Sequence, residues 1–278
     1  MLKRPAADKM PHITWCLTGR LTFLPIHAAG LYGKEDQPKL FDYVVSSYTP
    51  TLTALLSSQH LPARRRGEPR ILAVSQPEAQ MQQFLPGTAL EIKAIEALQS
   101  QTPGLRVTAL TGEEATVEAV LQSMKDSNWV HLACHGIQDP ITPTDSAFII
   151  NGRLMLNEIM KQSFPRTELA FLSACQTAKG DSKLPEEAIH LAAGMLMAGC
   201  GSVVGTMWSI RDDDAPIVAE KFYSYLVSKG GGDGTKAAYA LHHAVAHLRN
   251  SGCGFDRWVP FIHLGVCSPP EPSTSTVG

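Results

Sequence analysis

The chain has 278 residues, 44% hydrophobic and 18% charged, with a formal net charge of −2 and a pI near 6.5. This composition describes a packed globular protein, excludes disorder for most of the length, and gives no global electrostatic case for nucleic acid or anionic membrane. No apolar stretch approaches the roughly 20 residues that span a bilayer, residues 1–10 hold no signal-peptide apolar core, and the six cysteines are scattered without a C-x-x-C pair, so reduced thiols in the cytosol are expected.

At the amino end, residues 13–17 and 21–26 read as a hairpin around Thr18-Gly19-Arg20. Strand-like apolar runs follow at 43–46, 71–75, 105–110, 129–134, 147–150, 169–174, 202–208 and 261–264. Helical patterns lie between them at 51–58, 89–99, 113–125, 186–198, 215–228 and 235–250. The alternation predicts a mostly parallel sheet with helices on both faces, a doubly wound three-layer α/β sandwich. Arg64-Arg65-Arg66, between Pro62 and Pro69, reads as a solvated loop. Thr111-Gly112-Glu113-Glu114 has capping-box spacing, with the Thr111 hydroxyl set to accept from the Glu114 amide. The glycine-rich stretches 199–201 and 230–234 lack phosphate-loop order and context and read as turns. Asp212, Asp213 and Asp214 stand just before the helix at 215, with Pro216 suited to its first turn. Residues 12–266 read as one domain after an extension at 1–11, and the Pro- and Ser-rich end, 267–278, reads as a disordered tail. Because folded structure is expected almost from the first residue, the chain reads as one end of a larger architecture.

Two of these runs end in reactive groups: His135 closes Trp129-Val130-His131-Leu132-Ala133-Cys134-His135-Gly136, and Cys175 closes Leu169-Ala170-Phe171-Leu172-Ser173-Ala174-Cys175. Each would sit where a parallel strand ends, the edge at which open α/β sheets bind ligands. An unperturbed thiol, with a pKa of about 8.5, needs a neighbouring base or positive field to become thiolate. An imidazole at the same edge supplies that base. The amides of Gly136 and of Cys175 itself could form an oxyanion hole. No third residue to orient the imidazole is evident. Metal binding is the chemical competitor, through His131, Cys134, His135 and Cys175, but His131 and Cys134 are three apart on a strand and point to opposite faces, and the spacing lacks the paired-ligand signature of zinc. His242, His243 and His247 have no intervening Glu and read as a solvated or partly packed helix face.

On these motifs the chain resembles the CHAT domain family, caspase-like proteins related to separase and often joined to tetratricopeptide repeats. Gly205-Thr206-Met207-Trp208 ahead of the aspartates, Leu85-Pro86-Gly87 before the helix of Glu91, and Trp258-Val259-Pro260-Phe261-Ile262-His263-Leu264-Gly265 extend the likeness over residues 12–266. The resemblance implies a caspase-like α/β/α fold and a Cys-His dyad, Cys175 as nucleophile and His135 as base, with no cofactor. It also implies an acidic group after Trp208 lining a pocket for a basic P1 side chain, a place that Asp212 or Asp214 would fill; capping the following helix is their competing role. Ser173, two before the cysteine, stands where the related metacaspases place an Asp that helps bind P1. The expected function is a cytosolic cysteine endopeptidase acting on a protein or peptide substrate and regulated by a partner, such as a tetratricopeptide-repeat or nucleotide-binding sensor domain. The alternative is a non-catalytic interaction module in a signalling assembly.

Overall fold

The runs at 71–75, 129–134 and 169–174 show no polar alternation, the mark of strands buried on both faces, and they form the centre of the sheet. The computed structural model describes residues 4–5, 9–33, 37–59, 68–79, 82–137, 139, 141–162, 164, 166–175 and 187–268. The basic run Arg64 to Arg66 and the expected tail from residue 269 on lie outside these.

Among the described residues the strands are β1 (His12–Trp15), β2 (Val45–Tyr48), β3 (Arg70–Ser75), β4 (Arg106–Thr111), β5 (Trp129–Ile137), β6 (Ala147–Ile150), β7 (Gly152–Met155), β8 (Leu169–Cys175), β9 (Ser202–Thr206) and β10 (Phe261–Gly265). The helices are α1 (Leu52–Gln59), α2 (Pro86–Gln101), α3 (Val117–Asp126), α4 (Leu156–Met160), α5 (Glu187–Met197), α6 (Ala215–Ser228), α7 (Ala237–Asn250) and α8 (Phe255–Trp258). The sheet runs β1-β2-β10-β9-β8-β5-β3-β4. It is parallel except where β10 runs antiparallel to β9 and where the β6–β7 hairpin pairs with the end of β5.

One face of the sheet packs Ile71, Trp129, Phe171 and Val204 against α2, α6 and α7 through Ile92, Ile95, Phe222, Tyr223, Leu241 and Val245. The other packs Leu72, Val130, Leu132, Cys134 and Leu172 against α3, α4 and α5 through Val120, Met124, Ile159, Leu191 and Met195. These two buried layers make the three-layer α/β/α sandwich expected from the alternation. The chain leaves β3 through α2 on the first face and leaves β5 through elements on the second. The crevice between the carboxyl ends of β3 and β5 is therefore a topological switch point, the place where such sheets bind ligands.

Two local expectations are corrected. Residues 21–26 form no hairpin strand: Gly19 has φ +58°, Leu24 N donates to Leu21 O at 3.0 Å and Ala28 N to Pro25 O at 2.9 Å, closing 3-10 turns. Pro25 has no N–H for a ladder, and β1 pairs in parallel with β2 instead. The helix expected from residue 113 starts at Val117, capped by Thr116, whose Oγ1 accepts from Ala119 N at 3.2 Å. Residues 112–114 form a separate 3-10 turn without a Thr111 side-chain cap. The extended bridge from Thr116 to Asn151, with Asn151 N donating to Ala115 O at 3.0 Å, delays the helix to that point.

Candidate active site

β5 outlasts its neighbour β3, so its last residues are free to pair elsewhere. Register sets Ala133 opposite Ser75 of β3, while His135, Gly136 and Ile137 pair with Ile149, Phe148 and Ala147 of β6. On its other edge β5 runs with β8, and the final pair of that ladder is His135 with Cys175. The two residues from separate apolar runs thus stand on adjacent parallel strands at one sheet edge, with Gly136 one step beyond.

The His135 ring is fully buried, and its Nε2 lies 2.7 Å from the carbonyl oxygen of Gln83 in the β3–α2 turn. A carbonyl only accepts, so Nε2 carries a proton, and the tautomer this bond selects has its lone pair on Nδ1. Among the described residues Nδ1 has no hydrogen-bond partner. A buried ring nitrogen left with a lone pair beside the end of β8 is chemically a base awaiting a donor.

Beneath this edge lies a polar network that no motif announced. Ser173 Oγ donates to Glu91 Oε1 at 2.9 Å. The second oxygen, Glu91 Oε2, stands 3.1 Å from His131 Nε2, near enough for an ion pair but off a hydrogen-bonding line. His131 Nδ1 lies 3.3 Å from the Tyr223 hydroxyl, and its ring stacks on Phe171 at 5.0 Å. Burial, and then the charge of Glu91, push the Tyr223 hydroxyl pKa well above its usual 10. His131 and Ser173 come from β5 and β8, four and two residues before His135 and Cys175, so Glu91 of α2 ties both strands to one helix. Cys134 faces the opposite side of the sheet, in the α3–α5 layer. Among the described residues no group of three or more His, Cys, Asp or Glu could hold a metal ion.

The aspartates after β9 are committed to internal bonds. Asp214 is fully buried and chelated by Arg257 through both its Nε and its Nη2; that bond is the main reason the guanidinium pKa is raised. It precedes α6 as expected, with Pro216 in the first turn, yet its side chain makes no cap bond to that helix. Asp212 Oδ2 accepts from Gly87 N at 2.6 Å and so caps α2, not α6. Asp214 is thus sealed by Arg257, Asp212 is half-buried with Oδ2 bonded to Gly87, and the Ser173 hydroxyl donates to Glu91.

The Gln83 carbonyl and the Asp212–Gly87 bond escaped the sequence reading because the first is a backbone atom and the second spans 125 positions. Only the glycine at the start of α2 gave a signal.

A family model described as the CHAT domain matches residues 1–266. Among solved structures, gingipain R (RgpB), an Arg-specific cysteine proteinase, aligns with TM-score 0.58 and 10% identity over 83% of this chain and 56% of that one. The complex of the pro- and mature domains of RgpB from Porphyromonas gingivalis gives TM-score 0.57 and 8% identity, over 83% of this chain and 57% of that one. Separase in the Saccharomyces cerevisiae separase–securin complex gives TM-score 0.52 and 17% identity, over 82% of this chain and 14% of that one. The chain therefore spans about half of the gingipain chain and a seventh of separase. No curated protein matches by sequence. At these identities the structural likeness shows the fold alone, which is that of caspase-like cysteine peptidases.

Proposed function

The chain belongs to the CHAT domain family, and on that footing we propose that it is a cysteine endopeptidase with Cys175 as nucleophile and His135 as general base. The observation that carries the reading is the bond from His135 Nε2 to the Gln83 carbonyl. It fixes the tautomer a base needs and leaves Nδ1 unbonded among the described residues, on the strand position whose register partner is Cys175.

In this reading Nδ1 takes the thiol proton as sulfur attacks the scissile carbonyl, and the Gln83 carbonyl stabilises the imidazolium that forms. The oxyanion is met by the amides of Cys175 and Gly136. The tetrahedral intermediate collapses to a thioester as the leaving amine takes the proton from Nδ1. Water, deprotonated by the same nitrogen, then hydrolyses the thioester and frees the thiol. For a basic P1 side chain, Asp214 would have to leave Arg257, and Asp212 would have to bind it beside its own bond to Gly87. Protein substrates and a regulating partner domain fit the family and remain part of the proposal. Among the described residues no helix is long and apolar enough to cross a membrane.

A second reading, a non-catalytic interaction module, draws on the complete burial of His135, which would suit a sealed structural residue. An electrophilic peptide separates the two. Selective labelling of Cys175 that disappears in His135→Ala supports the peptidase, and equal labelling of all reachable cysteines supports the module.

A further inference from the structure

We infer that Asp212 is a positioning residue: through its bond to Gly87 it holds the turn whose Gln83 carbonyl sets the tautomer of His135. The catalytic consequence rests on the dyad reading above, but the effect on the imidazole does not.

The link is short and each joint is visible. Gly87 N lies in the first turn of α2, where an amide has no acceptor within the helix, and Asp212 Oδ2 takes it at 2.6 Å. The bond is charge-assisted and placed at the positive end of the helix dipole. Close approach is built in: a Cβ on residue 87 would stand 2.3 Å from the Asp212 backbone oxygen and 2.6 Å from its Oδ1, so only glycine admits the contact. The same turn is braced from within. Leu85 N donates to Pro77 O at 2.9 Å, Thr88 Oγ1 donates to Leu85 O at 2.8 Å, and Ser75 Oγ donates to Thr88 Oγ1 at 3.0 Å. These bonds tie Leu85 and Thr88, on the same turn as Gln83, to the end of β3. Gln83, four residues before Gly87, presents its carbonyl to His135 Nε2 at 2.7 Å.

Asp212 sits on the loop between β9 and α6, so the position of that loop is transmitted to the imidazole. Displacing the loop frees the end of α2 and lets the Gln83 carbonyl drift. His135 is then no longer held with its proton on Nε2. This role differs from a substrate-binding one in what an amide replacement does. Asn in place of Asp212 keeps an oxygen to accept from Gly87 N, whereas it could not neutralise a basic substrate side chain.

The test uses the full chain with 15N-labelled histidine, comparing wild type, Asp212→Asn and Asp212→Ala by imidazole nitrogen shifts and by peptide hydrolysis. Wild type and Asp212→Asn should both show His135 protonated at Nε2 alone, whereas Asp212→Ala should show a mixture of tautomers. In parallel, Asp212→Ala should lose about tenfold in kcat, the scale of one orienting hydrogen bond, with KM held and with activity restored in Asp212→Asn. If Asp212→Ala fails to fold, Asp212→Ser, too short to reach Gly87, carries the same expectation. An unchanged tautomer in the Ala or Ser variant overturns the inference, as does an equal loss in Asn and Ala expressed in KM for basic peptides. Should wild type cleave nothing, the dyad reading fails while the nitrogen shifts still decide the role of Asp212.

Discussion

Acidification should destabilise this fold through histidines far from the dyad. His263 of β10 is 1% exposed and held between two hydroxyls, Ser47 Oγ at 2.6 Å from Nδ1 and Ser202 Oγ at 2.6 Å from Nε2. Beyond Ser47 the chain continues to His12 Nε2, also at 2.6 Å. Burial, with the nearby His12 second, pushes the His263 pKa down to about 3. His27 and His242 line a small cavity beside it together with Arg249, and burial first pushes each down to about 4. A pKa lower in the folded chain than the unfolded value of about 6.5 means that the unfolded state binds more protons between those limits. The stabilisation is thus complete above the unfolded pKa and is lost as pH falls toward the folded one. From about pH 7.5 to about pH 5, His263 alone loses about 2 kcal/mol. His27 and His242, each partly open to water, add about 1 kcal/mol apiece. A total near 4 kcal/mol lowers the melting temperature by about 10 °C for a domain of this size. Thermal unfolding followed by circular dichroism across that range measures it, and His263→Gln should reduce the slope of stability against pH by about half. A melting temperature flat to within roughly 2 °C would refute the assignment of these histidines as buried and neutral.

The network under the dyad should matter for stability as well as for shape. Glu91→Ala strands the Ser173 hydroxyl and leaves His131 without its anion, costing about 3 kcal/mol in urea unfolding, whereas Glu91→Gln, which keeps an acceptor for Ser173, should cost clearly less; a loss under about 1 kcal/mol for Ala would show that the network is dispensable. Thr116→Ala should cost about 1 kcal/mol while Thr111→Ala is neutral in the same assay, and the reverse order would contradict the observed start of α3.

Strands buried on both faces were legible because burial leaves no polar residue to interrupt them: β3, β5, β8 and β9 all begin and end close to their apolar runs. The His135–Cys175 juxtaposition followed from the same fact, since two runs ending in a parallel sheet end at one edge. The amino end misled because Leu21 to Ile26 is apolar enough for a strand, while Pro25 and the positive φ of Gly19 decide for turns. Thr111 and Thr116 offer similar capping hydroxyls, and only the distant bridge to Asn151 chooses between them. Asp212 and Asp214 were visible as acids but not as partners, because Gly87 and Arg257 come from elements 125 and 43 positions away. Gln83 was invisible, as any residue at that point of the turn would present the same carbonyl.

The measurement that bears most directly on the account is cleavage of a fluorogenic peptide library, varied at P1, by wild type, Cys175→Ala and His135→Ala at equal folded concentration. Wild type is expected to cut a subset of the peptides, and both variants to fall to background while melting as wild type does. Hydrolysis that survives in either variant would contradict the dyad, and so would a well-folded wild type that cuts nothing in the library.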